Sequence, residues 1–213
     1  MTRGRKVIEE LRRILEPLNK EILEHPVLVL AEEGRLPRES IRRFVVNQLY
    51  IVPHDMRSLA RLLSRSRAID EIEFFKQALD GDYKALHALR RLAGELGIDP
   101  DNPGEPDPDA TAYTHYLAWL SSYASLGEAA VALIVNLPVW GANATRLGRA
   151  LRERYGITET EFFELFSGPY DGLERAAEPI IERYLDMKAY RIVAKTIQHY
   201  EKKFWDALLG SKA

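Results

Sequence analysis

The segment Glu128-Ala-Ala-Val-Ala-Leu-Ile-Val-Asn-Leu-Pro-Val-Trp-Gly-Ala-Asn-Ala-Thr-Arg-Leu-Gly148 decides how the rest of the chain is read. Ala129 to Val135 is the longest uninterrupted apolar run in the protein, far short of the roughly 20 residues a membrane crossing needs, so it reads as a helix buried on all sides. Asn136 then places an amide where the pattern asks for hydrocarbon, one turn before Trp140 on the same face. Two readings of that amide stay open. Pro138 has no N–H and leaves the carbonyl of Ile134 without its helical donor, so Asn136 has a local role in satisfying a disturbed backbone. Alternatively, Asn136 and Trp140 line a cavity in the middle of the fold.

Outward from this rod, every long segment carries a 3.6-residue apolar period and none alternates as a strand does, so the chain is expected to be all-α. A first helix spans about Lys6 to Glu24 and contains Pro17; a short apolar piece, Pro26 to Ala31, follows. The next helix, from Pro37 or Arg38 to about Arg65, puts Ile41, Val45, Val52, Met56, Leu59 and Leu63 on one stripe. Gln48 falls on the same stripe, a second polar intruder on an inward face, which favours a cavity shared with Asn136. Ala68 to Gly97 reads as two helices broken at Asp80-Gly81-Asp82, with His87 among leucines as a structural histidine. The proline-rich acidic stretch Asp99 to Asp109 is a surface loop, and the helices after it complete the bundle begun before it, giving one domain over residues 1–213. Tyr113, Tyr116, Trp119 and Tyr123 stripe the helix Thr111 to Ser125 and read as core aromatics, with a ligand-facing position as the alternative for the tyrosines. A short helix at Glu161 to Phe166, one from about Leu173 to Asp186 and a last one from about Tyr190 to Leu209 close the chain.

Composition narrows the function. The content is 46% hydrophobic and 29% charged, and 30 Lys plus Arg against 32 Asp plus Glu leave a net charge of −2. No basic stripe with interleaved aromatics is present, so no nucleic-acid partner is expected. There is no cysteine, which excludes disulfides, thiolate metal sites and a cysteine nucleophile. Met1-Thr-Arg-Gly-Arg-Lys6 leads into a charged amphipathic helix and not an apolar signal core, so a cytoplasmic protein without membrane association is expected. His25, His54, His87, His115 and His199 show no His-Glu-x-x-His or paired Glu-x-x-His spacing, and neither a metal nor another cofactor is expected.

On the last helix, Glu201 has Ile197, Phe204, Trp205 and Leu208 as its neighbours on one side. Desolvation there would raise its pKa and make it a candidate general acid or base near neutral pH. The competing reading is an amphipathic edge, with Glu201 leaning outward to Lys202 or an arginine.

Taken in order, His25-Pro26, Gly34-x-Leu36-Pro37, Phe44, the helix through Tyr50, Ala85-Leu86-His87, the central rod and Tyr200-Glu201-x-x-Phe204-Trp205 resemble the TenA family of thiamin-salvage proteins, in the haem-oxygenase-like superfamily with PqqC-type oxidases as relatives. The resemblance implies a compact bundle of about eight helices around a ligand cavity, and a homo-oligomer, tetramer or dimer. Glu201 matches the family's catalytic glutamate, a proton-transfer group in hydrolysis of an aminopyrimidine, and Tyr170 matches a pocket tyrosine. Tyr50 joins the pocket set with Gln48, Asn136, Trp140 and Tyr170. Asn136 stands where the family has its nucleophilic cysteine, Gln48 where it has a pyrimidine-binding aspartate, and Trp140 where it has a tyrosine. An amide has neither the nucleophilicity nor the titrating proton of a thiol, so the covalent route is closed.

Three functions follow. The first is a cofactor-independent enzyme acting on a small heteroaromatic, thiamin-pyrimidine-like molecule, with Glu201 as acid and base. The second is an oxidase of the PqqC or di-iron type; the third is a non-catalytic binder that kept the cavity.

Overall fold

The structure, a computed structural model, describes residues 1–210. Among them are nine helices and no strand: α1 Arg3–Leu23, α2 Pro26–Glu32, α3 Arg38–Arg65, α4 Ile69–Glu95, α5 Pro108–Tyr123, α6 Leu126–Tyr155, α7 Glu161–Glu164, α8 Asp171–Arg183 and α9 Met187–Leu208. The all-α bundle expected from periodicity is what forms.

The central rod is α6. Its start is fixed by Ser125, whose Oγ accepts from the Glu128 amide at 3.2 Å while the Glu128 carboxylate accepts from the Ser125 amide at 2.8 Å, a reciprocal capping box. By length and hydropathy α6 could cross a membrane, but 78% of its most apolar window is buried inside the bundle, which accounts for that apolarity. α9 lies against α1, α5 and α6; α3 packs on α4 and α5; α8 closes over α1 and α6, and α2 and α7 cover the C-terminal half of the rod.

Two apolar cores share α6. One gathers Ala129 to Val135 with Leu11, Leu59, Phe74, Leu117, Ile181 and Ile197; the other gathers Val139, Trp140, Leu147 and Leu151 with Phe44, Phe163, Phe204 and Trp205. Asn136 sits at the junction. In the second core Trp140 stacks on Phe44, with centroids 6.0 Å apart and planes 6° from parallel, and meets Phe204 edge-on at 5.5 Å.

Several local expectations need correcting; among them, Trp119 and Tyr123 are 48% and 78% exposed and are not core aromatics. α4 runs unbroken through Asp80-Gly81-Asp82. A mid-helix glycine costs only about 1 kcal/mol relative to alanine, and the buried residues to either side, Phe74 and Phe75 before it and Ala85, Ala88 and Leu89 after it, hold both halves in one line. His87 is exposed and meets Tyr83 edge-on at 4.7 Å, so it is not a core histidine.

His25 has a structural assignment. Its Nδ1 accepts from the Val27 amide at 3.3 Å and caps α2, while its Nε2 lies 3.1 Å from Asp206, tying α2 to α9.

One close helix approach predicts a measurable effect. A Cβ at Gly148 would lie 2.6 Å from the Cβ of Phe163, whereas one at Gly94 would meet nothing within 4 Å. Gly148→Ala is therefore expected to lower stability by about 1–3 kcal/mol in urea unfolding, and Gly94→Ala to leave it unchanged or raise it by up to about 1 kcal/mol. Equal effects would contradict the packing of α7 on α6.

Candidate functional site

The cavity opens where the two cores meet and holds about 700 Å³, within the range of small-molecule sites. α3 contributes Gln48, Val52 and Asp55, α5 contributes Tyr113, α6 contributes Asn136 and Trp140, and α9 contributes Glu201 and Phe204. Its mouth lies between the middle of α4 and the 165–173 segment, which includes Tyr170.

Glu201 is 3% exposed. Its Oε1 accepts from the indole Nε1 of Trp205 at 2.8 Å and its Oε2 from the amide of Asn136 at 3.2 Å. No cation pairs with it among the described residues, so the outward salt-bridged reading does not hold. Burial pushes its carboxyl up to about 7 against the opposing pull of the two donors. The polar line continues: Asn136 also donates to Gln198 Oε1 at 3.0 Å, and Gln198 donates to Asn19 at 2.5 Å. Three helices, α1, α6 and α9, are thus joined through amides behind the carboxyl.

Asn136 is not a repair for Pro138. The carbonyl of Ile134 is met by Arg12 Nη2 at 3.4 Å, and the same nitrogen donates to Glu174 Oε1 at 2.6 Å. The Asn136 amide donates to Glu201 and Gln198 instead, so the local-repair reading does not hold.

Gln48, Asn136, Trp140, Tyr170 and Glu201 all line this one cavity. The Tyr170 hydroxyl donates to the carbonyl of Phe166. Both lie so close over α6 at Gly141 that any Cβ there would overlap them. Tyr50 does not join the set. Its hydroxyl is 3.1 Å from His115 Nε2 and its ring stacks on His54 at 4.1 Å. Two residues beyond Gln48 is about 200° around a helix, which turns Tyr50 to α5 and away from the cavity.

Two acidic lining groups escaped the sequence reading, and Tyr113 joins them on the cavity wall. Asp55 is 8% exposed and accepts from the Thr114 hydroxyl; burial and the neighbouring Asp82 push its carboxyl well up. Asp82 is half-buried, lines the same cavity, and is pushed up by burial as well. The Tyr113 phenol lines the cavity too and is likewise raised by burial, with Asp55, Glu201 and Asp82 adding to the shift. Asp55 had a signal: Gln48, Val52, Asp55 and Leu59 follow at four, three and four residues along one face. Among the described residues, no group of three or more His, Cys, Asp or Glu side chains is arranged to hold a metal ion.

Glu201 carries a testable linkage. Its folded pKa is raised above the ordinary 4.5 to about 7, so the stability associated with its neutral form is full below pH 4.5 and lost as pH rises to 7. Relative to Glu201→Gln, the wild type is expected to lose about 3 kcal/mol of unfolding free energy across that window and nothing further above it. A flat difference in paired urea titrations would contradict the burial.

The chain was compared with known proteins. The sequence profile of the TENA/THI-4/PQQC family matches residues 12–211. A TenA homologue from Pyrococcus furiosus superposes with a TM-score of 0.78 at 25% identity, covering 95% of this chain and 99% of its own. A TenA homologue from P. horikoshii gives 0.78 at 22%, with 95% and 97% covered. A TenA-like protein from Sulfolobus solfataricus gives 0.72 at 19%, with 95% of each chain covered. No curated protein is significantly similar in sequence. With the profile spanning nearly the whole chain and the fold shared end to end, the protein belongs to the TENA/THI-4/PQQC family.

Proposed function

We propose that the protein is a hydrolase acting on a small heteroaromatic, thiamin-pyrimidine-like molecule, without a cofactor and without a covalent intermediate, and that Glu201 moves the protons. The observation that carries this is a buried carboxyl with a pKa of about 7 on the wall of a cavity lined by aromatic rings. At neutral pH such a group is present in both forms, so it is able to accept a proton and return it. As carboxylate, Glu201 takes a proton from a water whose oxygen bonds to the ring-bearing carbon. The C–N bond breaks, and the leaving nitrogen receives the proton from Glu201, now the acid. The Trp205 and Asn136 donors hold the carboxyl in place through both steps.

Cysteine is absent from the chain, and Asn136 spends its N–H₂ on Glu201 and Gln198, so nucleophilic catalysis has no carrier at this position. The PqqC-type oxidase reading is less well supported. Among the described residues the cavity lining contains no arginine or histidine to hold a polyacidic substrate.

Release of ammonia from a 5-(aminomethyl)pyrimidine tests the proposal. The wild type is expected to turn it over, and Glu201→Gln to reduce the rate by about 10²-fold or more. Thiamin is expected to be cleaved poorly, and Asn136→Cys alone to leave that unchanged. Ring binding with no turnover in the wild type would replace this account with that of a non-catalytic binder.

We further propose that the chain self-associates through the strip on α5 and α9 where Trp119, Tyr123 and Ile192 are 48%, 78% and 56% exposed. Light scattering is expected to give a dimer or tetramer of the 24.4 kDa chain. A monomer mass would refute it.

A further inference from the structure

The cavity is larger than a single ring requires, and its far end is chemically distinct from the Glu201 end. There Asp55 on α3 and Asp82 on α4 line the wall, with the Tyr113 phenol close to both. Neither aspartate is in a salt bridge among the described residues. Lys76, at the mouth, is already paired with Asp80 at 2.5 Å, and Lys84, also at the mouth, is exposed and bonded to neither aspartate.

Two nearly enclosed side chains present unbonded polar atoms to the cavity. Gln48 is 4% exposed, yet its amide has no hydrogen-bond partner among the described residues. Asp55 is 8% exposed and uses only Oδ1, which accepts from Thr114. The one fully enclosed side-chain polar atom without a partner is Asn143 Oδ1, so the unbonded atoms of Gln48 and Asp55 keep accessible surface on the cavity they line. Both present hydrogen-bonding atoms to the cavity, placed to bond a group that enters it. Gln48 offers a donor and an acceptor, which suits a neutral heteroaromatic edge. Asp55 lies seven residues further along the same helix, about 10 Å on.

We propose that this end of the cavity is a cation subsite, and that the natural ligand is bipartite: a planar ring near Gln48 and Trp140, joined by a short flexible arm to a primary ammonium or amidinium group that Asp55 and Asp82 hold. The carboxylates accept from the cation and Thr114 keeps Asp55 oriented. The proposal deepens the ring-binding reading above and rests on it, but not on the reaction.

Calorimetric titration with a matched pair of probes separates the two. 4-(3-Aminopropyl)pyrimidine and 4-(3-hydroxypropyl)pyrimidine share the ring and the arm and differ in the terminal charge. The wild type is expected to bind the amine about tenfold or more tightly than the alcohol. That preference is expected to shrink to within about threefold in Asp55→Asn and to fall in Asp82→Asn. Asp82 is half-buried, so its variant reports on the subsite even where Asp55→Asn fails to fold, as circular dichroism would show. Equal binding of the two probes, or a preference that survives both substitutions, overturns the cation subsite and leaves the ring site standing. Binding of neither overturns both.

Discussion

A carboxyl group buried with no cation beside it is the constraint to which the rest of the site answers. Glu201, on α9, is enclosed against α6, and among the described residues only an indole N–H and an amide N–H reach it. A group in that position resists charging, which raises its pKa to about 7, yet its two donors keep the charged form accessible. Had an arginine stood in place of Asn136, the same carboxyl would be locked in its ionised form and useless as an acid at neutral pH.

The same constraint explains the polar seam through an otherwise apolar bundle. The two cores on α6 are separated at Asn136, and the amides of Asn136, Gln198 and Asn19 pass hydrogen bonds from α6 through α9 to α1. Every amide in that line has a partner, which is what makes a buried polar network tolerable. The charged groups are kept elsewhere. Arg12 and Arg5 meet Glu174 at the edge between α1 and α8, and Arg12 also covers the carbonyl that Pro138 exposes. The backbone defect in the rod is therefore repaired from outside the cavity, and Asn136 bonds Glu201 and Gln198 instead.

Much of this was legible in the residues. The run Ala129 to Val135 gave the rod, and helical spacing alone brought Asn136, Trp140, Gln48 and Glu201 to inward faces. Family resemblance added Tyr170, which no local pattern marks. It also suggested Tyr50, which helix geometry turns toward α5. The acidic end of the cavity was missed for two reasons. Asp82 was assigned to a break in α4, because Asp80-Gly81-Asp82 has the composition of a turn and the tertiary packing that keeps it helical lies in residues far along the chain. Asp55 sat on the right face but next to Pro53 and His54, where an acidic residue reads as solvent-facing until the opposing wall from α5 is in place.

The most direct measurement of the central claim is the titration of Glu201 itself, followed by carbon NMR of the side-chain carboxyl in protein labelled at glutamate and assigned with Glu201→Gln. A midpoint near 7, as burial without a cation requires, would agree with a proton-carrying group on the cavity wall. A midpoint in the ordinary glutamate range of about 4 to 4.5 would mean that water or a cation reaches the carboxyl, and the account of the site would fail with it.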